Sequence, residues 1–137
     1  MTFKLWLPGL VLLLSLSAQA ADNRISLGLT PEEKAEFLTE MQQMLGSIQG
    51  VVQGLALDDR EMVMKAAKYS GNRMARATPD SVRNKLPDEF KALGGPTHLM
   101  FEELVIRAET DPTEDLLLFT SKIMNNCMAC HAKYKAD

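Results

Sequence analysis

The chain has 137 residues, with 15 Lys and Arg against 18 Asp and Glu, a formal net charge of −3 and 46% hydrophobic residues. That length gives one small domain, and the acidic balance argues against nucleic acid or an anionic membrane as partner. Only two cysteines are present, Cys127 and Cys130, so the choice for them lies between a single disulfide and some other thiol chemistry.

Met1 to Ala20 opens with a lone Lys4, continues as LWLPGLVLLLSLS and ends on Ala18-Gln19-Ala20. A positive start, a short apolar core and a small-x-small cleavage site predict a secretory signal peptide over residues 1–20. The apolar stretch is too short to span a bilayer comfortably, and no cysteine follows the cleavage site to carry a lipid. The expectation is a mature domain over residues 21–137, exported to the periplasm, with no stable membrane insertion after cleavage. Without Lys4 it carries 14 basic and 18 acidic residues, a net charge of −4.

Thr30-Pro31-Glu32-Glu33 is a helix start, with a capping threonine, proline at the first helical position and glutamate three residues after the cap. Apolar residues then recur from Phe37 to Leu55 at helical spacing, predicting a first helix over about 31–55. Gly46, Gly50 and Gly54 fall on one stripe of it, a flat surface for a neighbouring helix or a bulky planar group. Asp58 to Glu61 starts a second helix that runs to about 76. Thr78 to Gly95 reads as short turns broken by Pro79, Pro87 and Gly94-Gly95, with Leu86, Phe90 and Leu93 as core contacts. A third helix is predicted from Pro96 or Thr97 to about 109. Asp111 to Glu114 reads as another capping box, leading a last helix over about 112–135. No alternating apolar run is long enough for a strand. The predicted fold class is all-α, an antiparallel four-helix bundle.

The sequence Cys127-Met128-Ala129-Cys130-His131 lies in that last helix. Positions three and four apart share a helix face, so both cysteines and His131 are expected to project together, facing the interior with Ile123, Met124 and Tyr134. The geometry suits haem c: two thiols form thioethers with the two vinyl groups of one porphyrin edge, and the histidine after the second cysteine ligates the iron. A redox-active Cys-x-x-Cys belongs at a helix start, where the dipole lowers a thiol pKa, and this pair sits at the opposite end. Zinc wants four ligands, and only His98 is left to join these three. A disulfide across two residues is short and needs no histidine after it.

A four-helix pattern with CMACH near the end of its last helix resembles the cytochrome c prime family, including its low-spin members. The resemblance spans the mature chain and rests on the motif more than on the generic bundle pattern. It implies one covalent haem c held by Cys127 and Cys130, with His131 as the proximal axial ligand of the iron. The ending CHAKYK resembles the family's aromatic-then-basic ending, with Lys135 where arginine is common. In the family the first helix covers the distal face, with an apolar residue in high-spin members and methionine in low-spin ones. Matching helix length places Met41 there, with Met44 one turn on as the reserve.

The expected function is therefore that of an exported monohaem c-type cytochrome carrying single electrons between redox partner proteins, and not an enzyme. The alternative is a five-coordinate haem protein that binds nitric oxide or carbon monoxide. His98 reads as a partly exposed residue at a helix start, Tyr69 and Tyr134 as packing residues able to bond a propionate, and Lys65, Lys68, Arg73 and Arg76 as a solvated face. Relatives often dimerise through their first two helices, which leaves a homodimer open.

Overall fold

The structure, a computed structural model, describes residues 21–137; the predicted signal segment, residues 1–20, lies outside them. The chain runs through β1 (Ile25–Ser26), α1 (Pro31–Ala56), α2 (Arg60–Tyr69), α3 (Asn72–Ala77), α4 (Asp80–Arg83), α5 (Asp88–Arg107), α6 (Thr113–Lys133) and β2 (Tyr134–Lys135). It is mostly helical, as the sequence predicts.

The capping box at the start of α1 forms as read. The Thr30 side chain accepts from the Glu33 N–H, and the Glu33 carboxylate accepts from the Thr30 N–H. Asp59 caps α2 by accepting from the Met62 N–H at 2.9 Å. The box expected before α6 does not form: Pro112 occupies the cap position and no side chain bonds there.

Three expectations are corrected. The second helix ends at Tyr69, and residues 72–77 form the separate α3 after a buried Ser70 and Gly71. The third helix starts at Asp88 rather than near Pro96, which lies inside α5. Pro96 forfeits one backbone donor there, while Gly95 before it has no Cβ to meet the proline ring, easing the restriction that proline places on its predecessor. Two short strands also exist. Ile25 pairs with Tyr134 and Ser26 with Lys135 in parallel, too brief a contact to leave an alternating pattern.

Of the four longer helices, α1 packs on α2, α2 on α5, α5 on α6 and α6 on α1. The glycine stripe serves the first of these contacts. A Cβ on Gly50 would stand 2.9 Å from the Ala66 Cβ, and one on Gly54 would stand 2.8 Å from Val63 Cγ2, whereas Gly46 faces open space.

Two apolar clusters fill the interior. The first joins Ile48, Val51 and Leu55 of α1 to Val63, Ala67, Phe101, Leu104, Leu116, Phe119 and Ile123. Each large side chain so buried contributes about 1.5–3 kcal/mol before entropy is set against it. The second joins Phe37, Val82, Leu86, Phe90 and Tyr134 to Leu27 and Leu29 of the N-terminal segment. Phe90 stands between Phe37 and Tyr134, with ring centroids 5.9 and 5.3 Å away. Among the described residues no helix is long and apolar enough to cross a membrane.

Candidate functional site

The inward stripe of α6 runs Leu116, Thr120, Ile123, Cys127, Cys130 and on to Tyr134, steps of four and three that keep one face. Cys127 and Cys130 are half-buried on it and unbridged. Burial pushes both thiols up, and each adds nothing to lower the other: Cys130 is raised further by Cys127. The last turns of a helix also disfavour a thiolate, a setting opposite to the helix start that lowers a thiol pKa in a dithiol redox centre.

His131 stands one residue past the stripe and is exposed, as is Met124 at 46%. The expectation that both face the interior is corrected: one residue on is about 100° round a helix of 3.6 residues per turn. His131 borders Cys130 at the rim of the second cluster, and no hydrogen bond among the described residues engages its ring. Its carbonyl accepts from Arg24 Nη1 at 3.4 Å.

On α1 the inward stripe is Phe37, Met41, Met44, Ile48, Val51 and Leu55. Leu38 and Leu45, which also belong to the apolar run from Phe37 to Leu55, are 42% and 69% exposed and lie off this stripe. Met41 remains inward-facing because Phe37 and Ile48, four before and seven after, set the face. The two candidate methionines part company here. Met41 packs against the second cluster, as does Cys130, whereas Met44 packs against the first.

His98 is not a helix-start residue. It is 6% exposed in the middle of α5, with Nδ1 donating to the Ser70 carbonyl at 2.8 Å and Nε2 3.6 Å from Glu40 Oε1. Ser70 Oγ in turn donates to Ser47 Oγ at 2.7 Å. Burial pushes the Glu40 carboxyl above the ordinary carboxylate range, opposed by His98 and Thr78. Bonded to the Ser70 carbonyl and facing Glu40, His98 is a strut from α5 to α1 and to the turn that ends α2. Nothing in the sequence marks this chain of polar groups, because its members come from α1, α5 and the turn after α2. Tyr69 is exposed, as are Lys65, Lys68, Arg73 and Arg76.

A cleft of about 210 Å³ opens beside the second cluster, lined by Phe37 and Val82 together with Glu36, Glu40, Met74 and Thr78. At the other end of the cluster the Tyr134 hydroxyl is buried without a hydrogen-bond partner, a state that costs about 1–3 kcal/mol. Among the described residues no group of three His, Cys, Asp or Glu is placed to hold a metal ion. That bears on a zinc site, but not on haem, whose iron takes four ligands from the porphyrin. Compared with family models, curated proteins and solved structures, the chain matches none.

The donor set fits a c-type haem. Two unbridged thiols sit three residues apart, an unengaged imidazole follows the second, a thioether lies on the facing helix, and a hydroxyl lacks an acceptor.

Proposed function

We propose that this protein is an exported monohaem c-type cytochrome that carries single electrons, built as an antiparallel four-helix bundle of the cytochrome c prime type. In this reading Cys127 and Cys130 hold the haem through thioethers, and His131 and Met41 are its axial ligands. The bundle is supported by the closed order of packing among α1, α2, α5 and α6. Its antiparallel sense is supported by the pairing of the start of α1 with the end of α6 in the second cluster and of their other halves in the first.

The observation that carries the function is that Met41 and Cys130, on different helices, pack against one apolar cluster. Met44, one turn on, packs against the other cluster, which favours Met41 as the ligand. When bound, the haem supplies reversible one-electron chemistry at its iron. The chain's residues set its properties. A methionine sulfur favours the ferrous state and closes the site to gases, while Phe37, Phe90, Leu27 and Leu29 keep water from that region. The second reading, a five-coordinate gas-binding protein, is favoured by Phe37, which is more deeply buried than Met41 and lines the cleft. A distal phenylalanine would cover the iron without ligating it.

Absorption spectra of the ferric protein, matured in a host able to attach haem c, separate the readings. Met41 ligation gives a weak far-red sulfur-to-iron charge-transfer band, absent in Met41→Ala and kept in Met44→Ala. A high-spin wild-type spectrum with ready carbon monoxide binding transfers the distal face to Phe37, and loss of the band in Met44→Ala alone moves the ligand by one turn.

A further inference from the structure

We infer that Tyr134 is a haem-binding residue whose phenol donates a hydrogen bond to a haem carboxylate. This rests on the haem reading above, and its starting point is the orphaned hydroxyl. Among the described residues the Tyr134 oxygen is the one buried side-chain polar atom without a partner. A buried phenol nearly always finds an acceptor, so the missing partner is informative.

The surroundings narrow what that partner is. Tyr134 is 4% exposed, and the side chains packed in its cluster are Leu27, Leu29, Phe37, Val82, Leu86 and Phe90, with Met41, Leu93, Cys130 and Ala136 against them. The side-chain heteroatoms in that set are two sulfurs, weak acceptors in any case. In the proposed site both are committed, Cys130 to a thioether and Met41 to iron. Lys133 lies beside the ring, with Nζ 5.6 Å from its centroid, and can at most donate to the phenol oxygen; it is held by Glu89 and offers no acceptor for the phenol hydrogen. A haem held by Cys127 and Cys130 would bring two carboxylates, strong acceptors, into the interior that this phenol faces. The Tyr134 ring is also fixed in place. Phe90 meets it edge-on with planes at 75°, and its backbone is tied into the pairing with Ile25. The phenol is a preorganised donor one turn beyond the second attachment cysteine.

A donor on a carboxylate withdraws negative charge from the haem and so disfavours the ferric state. Tyr134→Phe deletes only the oxygen and keeps the ring. The test uses the holoprotein, with covalent haem first verified by mass, so that a missing haem is read as failure of the functional proposal and not of this one. In haem-bearing Tyr134→Phe, resonance Raman spectra are expected to show the propionate bending mode shifted to lower frequency. The reduction potential falls, while the axial-ligand bands stay where they are. Haem-bearing Tyr134→Phe with propionate mode and potential both unmoved overturns the inference and assigns the phenol to a buried water. Should the variant fold poorly, ultraviolet resonance Raman of Tyr134 in a Tyr69→Phe background decides: a strongly donating phenol is expected, and one without a strong acceptor overturns it.

Discussion

Gly46 and Gly54 are eight residues apart on α1 and identical to any propensity scale, yet their surroundings give them opposite predicted responses to alanine. A Cβ at Gly54 meets Val63 Cγ2 at 2.8 Å and two backbone atoms, Val63 N at 2.9 Å and Asp59 O at 3.0 Å. Backbone cannot step aside as a side-chain tip can. The overpacking cost of about 1–3 kcal/mol exceeds the roughly 1 kcal/mol that alanine gains in a helix, so Gly54→Ala is predicted to destabilise. Gly46 faces open space, and Gly46→Ala is predicted to stabilise by up to about 1 kcal/mol. Urea unfolding of the two variants checks the pair, and a stabilised Gly54→Ala would refute the close approach of α1 and α2. At the same scale, the reading of the glycines as a flat stripe was available from their spacing. Which of them meets a neighbour was not, because that depends on the crossing of two helices. His98 shows the same limit: Gly94-Gly95-Pro96 looks like a break, yet α5 runs through it, and the partners that His98 meets there, Ser70 after α2 and Glu40 on α1, are distant in sequence.

Among the elements, the pairing of β1 with β2 ties the two ends of the described chain together beside the candidate site. Leu27 N–H donates to the Lys135 carbonyl at 3.0 Å, and Ser26 Oγ donates to the Asp137 carbonyl at 2.7 Å. Ion pairs surround this clasp. Arg24 holds the Asp22 carboxyl well below the usual range, Lys135 and Ser26 lower Asp137, and Lys133 lowers Glu89. A depressed carboxylate contributes stability that is present above its unfolded pKa and is lost as pH falls through its folded one. All three groups are exposed, so the effect is modest and screened by salt. Hydrogen exchange at the Leu27 amide, corrected for its intrinsic rate, is predicted to lose protection as pH falls below about 4, where free carboxylates titrate, and to lose less in Asp137→Asn. Protection independent of pH across that range would remove the ion pairs from the clasp. Capping made the start of α1 legible in the sequence. The clasp was not, since two residues of parallel pairing between chain ends leave no periodic trace.

For the molecule as a whole, the two apolar clusters divide the labour. The first, around Phe101 and Leu104, contains none of the proposed haem ligands, and the second includes Tyr134 and carries Cys130 and Met41 at its edges. A small domain has a stability of only about 5–15 kcal/mol, so in this account haem attached at Cys127 and Cys130 is part of what holds the second cluster together. Cys127→Ala with Cys130→Ala is predicted to melt well below the haem-bearing protein, losing exchange protection near Phe37, Phe90 and Tyr134 before Phe101 and Leu104. A double variant that melts cooperatively at the holoprotein's temperature would mean that the helical domain folds without regard to haem. The most direct test of the central claim is the mass of the denatured protein after expression in a host able to attach haem c. The account predicts the polypeptide mass plus one haem, with the addition lost in Cys127→Ala with Cys130→Ala. A polypeptide mass lowered by two hydrogens, from a disulfide between Cys127 and Cys130, would contradict it.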